Sequence, residues 1–489
     1  MSWWGPALLV WGLWGLSPGR AALAAIAAGW VAHACILHWF FVVTVTYGHA
    51  PFVVGLLAPI GAALYPALLM GIFGLGWGAW TRNGGSSPFF AAALWTAVDY
   101  LRSFVFTGFP WATLGYAQHE NPALMGLASL TGVYGMSFVV FLGGASLATA
   151  LAGFRRTGRF PASAGWGLVA VLALQGVGWV ARPAPMVGET IRVAAIQGDI
   201  DQGLKWDPDW AEDTLRIYEE LSRQAVREGA EVVVWPETAV PYGIRNGQAP
   251  ERVLDLAVES GATFVVGAVA VDGGARSSDA RFYDSAFVVP PGSGGARYDK
   301  SHLVPFGEYV PLRDLLGGFI RGVATGIANN DVTPGAGPRA LELGRGEEGA
   351  LRVGVPICYE LLFPDLVRRF AGDGARVLFA LTNDAWYGRT GAPYQFLAMT
   401  AVRSAESGLW TVRAANSGVS AMIDARGEVK ESLPIFERGL LVADVPLRSL
   451  ERPPTFYVKA GDVFALACSA VAAGCAITLF RRGRGDDDG

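Results

Sequence analysis

Three short motifs, each closing or following a strand-like run, carry residue types capable of covalent chemistry. Cys358 ends the run LRVGVPIC within Gly354-Val355-Pro356-Ile357-Cys358-Tyr359-Glu360. A thiol placed where a strand turns sharply is presented as a nucleophile, and backbone N–H groups beyond it can form an oxyanion hole. A lone cysteine is more commonly a small buried apolar residue, so position alone decides nothing. Lys300 lies in Tyr298-Asp299-Lys300-Ser301-His302-Leu303-Val304-Pro305-Phe306-Gly307-Glu308. Lysine is scarce: Lys205, Lys300, Lys430 and Lys459 are the full set, and arginine does the other cationic work. A compact ammonium can stabilise a tetrahedral oxyanion and lower a neighbouring thiol pKa, although the ordinary fate of a lysine is a solvated surface. Glu237 closes Val234-Trp235-Pro236-Glu237. A carboxylate held rigid after a buried strand and a proline is partly desolvated, which raises its pKa and suits a general base. The plainer alternative is a turn or helix-cap carboxylate. A histidine dyad is not available: His302 is the one histidine of the polar stretch, while His33, His38, His49 and His119 fall in apolar sequence. Glu237 and Lys300 would have to activate Cys358.

Two kinds of sequence must hold these groups. Over 489 residues, 52% are hydrophobic and 16% charged, too apolar a balance for an ordinary soluble enzyme. The formal charge of −4, without a basic stripe, argues against a nucleic-acid partner. Cys35, Cys468 and Cys475 lie in apolar runs and leave Cys358 alone in the polar stretch, so no disulfide framework is expected. Apolar runs near 3–16, 21–45, 51–80, 88–107, 122–150, 163–181 and 463–480 read as membrane spans, since about 20 apolar residues cross the hydrocarbon core. The first is short, and the third is long enough to tilt or to kink at Pro59 or Pro66. A cleaved signal peptide fits poorly, because no basic stretch precedes Trp3 and apolar runs continue far beyond it.

From Ile191 to Val445 the texture changes to β-rich runs: IRVAAIQGDI, EVVVWPE, TFVVGAVAV, FYDSAFVVPP, LRVGVPICYE and ARVLFALTND. Helical spacing appears between them at 210–227, 251–260 and 394–407, which predicts one α/β domain inserted before the last span. The expected organisation is a multi-span helical domain over 1–185, an α/β domain over 190–447 and a final membrane helix over 460–482. Arg20, Arg82 and the trio Arg155, Arg156 and Arg159 fall in alternate loops, and Arg481, Arg482 and Arg484 follow the last span. Basic loops stay cytoplasmic, so the α/β domain is expected on the opposite side. Asp99 and Arg102 interrupt one span three residues apart, on a shared helix face. Ionised groups at that depth should pair, and a structural ion pair is preferred here to a headgroup or proton site.

Taken together, the Glu237, Lys300 and Cys358 motifs resemble the Glu–Lys–Cys triad of the nitrilase (carbon–nitrogen hydrolase) superfamily in order and approximate spacing. IQGDIDQGLKW, WPETAVP, DKSHLVPFGEYVP, ICYE and NDAWYG, with the apolar stretch LRSFVFTGFPWATLGYAQ, are similar to the apolipoprotein N-acyltransferase family. The resemblance runs from about the second apolar segment to the C-terminus, and several consecutive motifs in order make it specific. It implies a membrane α-helical bundle joined to an α/β nitrilase-like domain, a four-layer α-β-β-α sandwich. It implies Cys358 as nucleophile, Glu237 as general base, Lys300 as the oxyanion-stabilising cation, and Glu308 as the group orienting that lysine and supporting proton transfer. Trp206, Tyr359 and Glu360 match positions of the substrate loop and beside the nucleophile. Trp386 would line the pocket, or else be an ordinary core aromatic.

The implied reaction is ping-pong. A phospholipid, typically phosphatidylethanolamine, would give its sn-1 acyl chain to Cys358, and the free α-amine of a diacylglyceryl-cysteine at a lipoprotein N-terminus would take it. The implied setting is the bacterial inner membrane with the catalytic domain facing the periplasm, and no metal or organic cofactor is implied. Topology alone places the aromatic segments 47–52 and 109–116 as a lipid-access rim. The family usually has about eight spans where about seven are read here, so the missing one would be the first. Two rival readings are a membrane-tethered amidase whose thioester is resolved by water, and a transporter or assembly protein with a decayed nitrilase domain. The multi-span region argues against the first, and the intact triad against the second.

Overall fold

The computed structural model describes residues 2–245, 249–273, 280–292, 295–311, 331–344 and 351–485. The chain separates into two units: Met1–Phe40, Leu56–Arg182 and Ala460–Gly489 form one, and Phe41–Gly55 with Pro183–Lys459 form the other.

The first unit is a bundle of apolar helices. Among the described residues, four are long and apolar enough to cross a membrane: Pro18–Ile36, Phe52–Arg82, Pro122–Thr157 and Ala162–Ala181. Both expected kink prolines, Pro59 and Pro66, lie inside Phe52–Arg82. Trp4–Gly12 and Pro88–Leu101 are shorter than the apolar runs that contain them, and Val463–Leu479 is a shorter apolar stretch of the last helix. Apolar composition marks burial in lipid and in protein alike, so it cannot show where a helix stops. The 88–107 run, for instance, leaves the helix after Leu101 for a tight turn with positive φ at Phe106 and Thr107. Small residues let helices approach closely: a Cβ on Gly126 would lie 2.0 Å from the Gly178 carbonyl oxygen. The Asp99–Arg102 pair forms as a buried cluster. Arg102 Nη2 donates to Asp99 Oδ1 at 3.1 Å and to Thr113 Oγ1 at 3.0 Å, and Nη1 stands 3.2 Å from His33 Nε2.

The second unit is an α-β-β-α sandwich. One sheet runs in the order Gly439–Pro446, Thr190–Gln197, Val232–Val234, Thr263–Asp272, Arg281–Val289 and Ala296–Asp299, with Val240–Arg245 also paired to Thr263–Asp272. The other runs Val429–Ser432, Ala421–Ile423, Thr411–Ala415, Val377–Thr382, Arg352–Gly354 and Leu341–Glu342. Each has a parallel centre and antiparallel edges. Parallel strands covered on both faces read as continuous apolar runs, and Val232–Val234 and Val377–Thr382 are buried throughout. The amphipathic helices Ala211–Arg227 and Glu251–Ser260 pack on the first sheet, and Pro364–Gly372 with Ala392–Ser407 on the second. Phe41–Gly55 groups with this unit although it lies far away in sequence.

Candidate active site

Glu237, Lys300 and Cys358 each stand in a loop that leaves the end of a strand: Val232–Val234, Ala296–Asp299 and Arg352–Gly354 respectively. In α/β sheets the crevice outside the carboxyl ends of parallel strands is where ligands bind. The Glu237 turn is locked to its neighbour by Trp235 N–H, which donates to the Val265 carbonyl at 2.8 Å. Beneath it only a glycine fits: a Cβ on Gly267 would lie 2.4 Å from the Pro236 carbonyl oxygen and 2.7 Å from Glu237 Cα.

Lys300 is the hub. Its Nζ donates to Glu237 Oε1 at 2.9 Å, Glu308 Oε1 at 2.5 Å and Asp284 Oδ2 at 3.2 Å. Its own N–H donates to the Asp284 carbonyl at 2.8 Å. An ammonium has three donors, and here three carboxyl groups take them, which fixes all four side chains. The second oxygen of Glu308 accepts the Val304 N–H at 2.8 Å and so orients the group that orients the lysine. Oxygens of Glu237, Asp284 and Glu308 lie within 4.8 Å of one another, a spacing that could hold a metal ion; the cation they hold is the Lys300 ammonium.

Cys358 opens a short 3-10 turn, Cys358–Leu362, at φ 45°, a left-handed conformation that non-glycine residues seldom adopt. Its thiol hydrogen-bonds the Glu237 carboxylate and accepts the Asn383 backbone N–H. Burial pushes the thiol well above its usual range, the Glu237 charge adds to that, and Lys300 and the Asn383 N–H only partly offset them. Burial also pushes Glu237 up, but the Lys300 charge and hydrogen bonds from Asp284, Lys300 and Cys358 outweigh it, leaving the carboxyl below its usual range. Both directions differ from the expectations drawn from sequence, in which desolvation raised Glu237 and the lysine lowered the thiol. For the thiol, burial and the Glu237 charge outweigh the lowering by Lys300, and for Glu237 contact with Lys300 and the hydrogen bonds outweigh burial. The resting pair is therefore a neutral thiol beside a carboxylate, arranged for proton transfer during attack.

Three carboxylates around one ammonium cannot all stay ionised in a buried site. Burial pushes Asp284 well above the ordinary carboxylate range and the charges of Glu237 and Glu308 add to that, so among the three it is the carboxyl that most favours its protonated form. Asparagine can donate to Glu237 and accept from Lys300 in the same shape. Asp284→Asn is accordingly expected to keep cysteine acylation within about threefold of the parent, whereas Glu237→Gln should lower it about 10³-fold, the range for a general base. Single-turnover acylation rates of the two variants check this; an Asp284→Asn as slow as Glu237→Gln would show that a charge is needed at 284.

The supporting residues divide. Glu360 does not touch the triad but clasps its two loops together. Its Oε1 accepts from Tyr298 OH at 2.7 Å, Ser301 N at 2.7 Å and Ser301 Oγ at 2.8 Å, and its Oε2 from Ile357 N at 2.8 Å. Tyr359 is buried in an aromatic cluster with His302 and Phe363 rather than lining an open surface. Trp206 and Trp386 are exposed, and Tyr47 meets Trp386 edge-on at 5.5 Å, which brings the first of the two aromatic segments to the NDAWYG loop. The second departs from expectation: Trp111 and Tyr116 are buried within the helical unit, where Trp111 packs on Trp39 at 4.8 Å. Sequence reading missed Asp284 and Asn383. The signals were a carboxylate inside the buried strand Arg281–Val289 and an asparagine directly after Val377–Thr382.

With this geometry in place, residues 192–453 match the carbon–nitrogen hydrolase family and residues 1–146 the apolipoprotein N-acyltransferase N-terminal domain. The chain is similar to an apolipoprotein N-acyltransferase of Geobacter metallireducens, 39% identical over 475 residues covering 95% of this chain and 88% of that protein. A protein of the same name from Azotobacter vinelandii is 34% identical, covering 91% of this chain and 84% of its own. Among solved structures, the nitrilase-superfamily protein Nit3 of Saccharomyces cerevisiae aligns with a TM-score of 0.41 at 18% identity, over 54% of this chain and 92% of that one.

Proposed function

We infer the course of the reaction from one premise: this chain belongs to the apolipoprotein N-acyltransferase family, within the carbon–nitrogen hydrolases. It is an integral membrane acyltransferase that N-acylates lipoproteins, with a phospholipid as donor.

In the proposed first half-reaction, Cys358 Sγ attacks the sn-1 ester carbonyl of phosphatidylethanolamine while its proton passes to Glu237. The carbonyl becomes an oxyanion, and the Lys300 ammonium is the cation nearest the forming charge. Collapse breaks the ester C–O bond, the glycerol oxygen takes the proton from Glu237, and lysophospholipid leaves an acyl thioester on Cys358. In the second, the neutral α-amine of the diacylglyceryl-cysteine attacks that thioester and passes its proton to Glu237. The amide forms, the C–S bond breaks, and the thiolate is reprotonated by Glu237. Glu308 orients Lys300, Asp284 holds the extra proton, and Glu360 keeps the Lys300 and Cys358 loops in register. The exposed Trp206 and Trp386 are placed to meet lipid, and water must be excluded while the thioester waits. The setting proposed is the bacterial inner membrane, and alternation of the arginine-bearing loops supports a catalytic unit, broadly 190–447, that faces the periplasm.

One observation carries this reading: Glu237, held by Lys300 at 2.9 Å, acts directly on the buried Cys358 thiol, in a chain with helices long and apolar enough to cross a membrane. Purified protein given labelled phosphatidylethanolamine is expected to show a hydroxylamine-sensitive acyl adduct on Cys358, discharged by a lipopeptide with a free N-terminal amine. An adduct discharged by water alone would favour a membrane-bound hydrolase instead.

A further inference from the structure

A second buried ammonium lies beside the site, and the chemistry above does not use it. Lys205 sits on the loop that leaves Thr190–Gln197, is 1% exposed, and donates from Nζ to the main-chain carbonyl of Glu237 at 3.1 Å. That is the one hydrogen bond of its ammonium among the described residues. An ammonium buried against a single neutral carbonyl is strongly unfavourable unless anions surround it. Glu237 is the anion beside it, and Asp284 and Cys358 add to that attraction only when ionised, so burial still holds its pKa down to about 8.

The carbonyl it holds belongs to a strained turn. Thr238, next in sequence and β-branched, has φ 46°, where such residues are rare. Gly267 presses on the turn from below, as described. The loop that carries Lys205 is itself anchored to the site. Ile200 N–H donates to Asn416 Oδ1 at 3.0 Å, and Asn383, whose backbone N–H meets Cys358, donates from Nδ2 to Gln202 Oε1 at 2.7 Å. Its neighbours Leu204 and Trp206 point their apolar side chains to the surface, so the one charged group of the triplet is the one turned inward.

We propose that Lys205 is a positioning residue for acyl transfer: its ammonium clamps the Glu237 turn through the main-chain carbonyl and adds a second positive charge to the carboxylate-rich chamber where the thiolate forms. The proposal rests on the reading that Cys358 and Glu237 carry the acylation. A purely structural lysine would affect folding alone, whereas this role predicts an effect on how Glu237 titrates. The titratable groups facing Glu237 are Lys300, Lys205, Asp284, Glu308, Cys358, Asp384 and Tyr387. Removing one of the two cations should raise the Glu237 pKa.

The test measures single-turnover acylation by labelled phosphatidylethanolamine against pH, on full-length protein in detergent, for the parent, Lys205→Met, Lys205→Arg and Cys358→Ala. The expected result is a folded Lys205→Met that acylates about 10²-fold more slowly, comparable to losing one preorganised charge, with its acid limb moved to higher pH. Lys205→Arg keeps the charge and should keep the acid limb, with a rate within about tenfold of the parent. A Lys205→Met at the parent rate, or one slowed with an unmoved acid limb, overturns the proposal. Should Lys205→Met fail to accumulate, Lys205→Arg decides: a shifted acid limb there overturns the proposal, and an unshifted one supports it. An adduct that survives in Cys358→Ala defeats the parent reading and this inference with it, while a normal Lys205→Met beside a dead Cys358→Ala defeats this inference alone.

Discussion

Cys358→Ala is expected to abolish the hydroxylamine-sensitive adduct and to lower lipoprotein N-acylation on the order of 10⁴-fold or more, because no other group can carry the acyl chain. The more searching variant is Cys358→Ser. It keeps the size of the side chain, its place at φ 45° and its hydrogen bond to Glu237, so a packing role would survive it. Chemistry would not. Glu237 lies below the ordinary carboxylate range and is a weak base, and a serine hydroxyl holds its proton far more tightly than even the buried thiol does. The serine variant should therefore fold normally, acylate about 10³-fold more slowly, and leave an ester resistant to neutral hydroxylamine where any adduct forms. Mass spectrometry of the labelled peptide and a thermal melt of each variant check both halves. A serine variant that transferred acyl chains at the parent rate would mean that another residue is the nucleophile.

Much of this site was legible in the sequence because it is built from loops that leave strand ends. Val-Trp-Pro-Glu and Pro-Ile-Cys-Tyr-Glu each show a buried apolar run stopping at a polar residue, which places that residue at the rim of a sheet, while Tyr-Asp-Lys closes the short mixed strand Ala296–Asp299. The strand and helix pattern of 190–447 follows from the same alternation. What the sequence could not show is distance. Asp284 lies within the buried strand Arg281–Val289, and only the pairing of Arg281–Val289 with Ala296–Asp299 brings it to Lys300. Lys205 stood out as one of four lysines but had no motif of its own, because its partner is a main-chain carbonyl, and backbone groups leave no trace in composition. The direction of the Glu237 shift was equally hidden: burial is readable from flanking residues, while the three hydrogen-bond donors that outweigh it come from distant parts of the chain. The helical unit misled differently. Apolar residues occur throughout 88–107, yet the helix stops at Leu101, and Arg102 just beyond it meets Asp99, Thr113 and His33 inside the bundle.

Lys300→Met should be nearly as damaging as loss of the cysteine, and for a reason that the pH profile exposes. Without the ammonium, Glu237, Asp284 and Glu308 face one another in a buried space, and buried carboxylates with no cation escape the penalty by taking up protons. Asp284 is the one already pushed furthest toward protonation. Of the groups that hold Glu237 down, Lys300 is the largest, so its removal leaves the upward push of burial much less opposed. A carboxyl whose pKa rises is ionised, and able to act as a base, only at higher pH. The acid limb of the acylation profile must then move upward, and at neutral pH part of the loss comes from a protonated base. The remainder comes from the missing cation beside the oxyanion, and together they should reach about 10⁴-fold. Lys300→Arg separates charge from geometry. A guanidinium restores the positive charge, so stability and the acid limb should largely recover. Its donors lie in one plane on a longer head, however, and cannot meet three carboxyl groups arranged around a single Nζ. Acylation by Lys300→Arg should stay at least about 10²-fold below the parent even with a normal acid limb. Single-turnover rates from pH 4 to 9, read alongside thermal melts, distinguish these outcomes. A Lys300→Met whose acid limb does not move would show that Lys300 is not what holds Glu237 in its basic form.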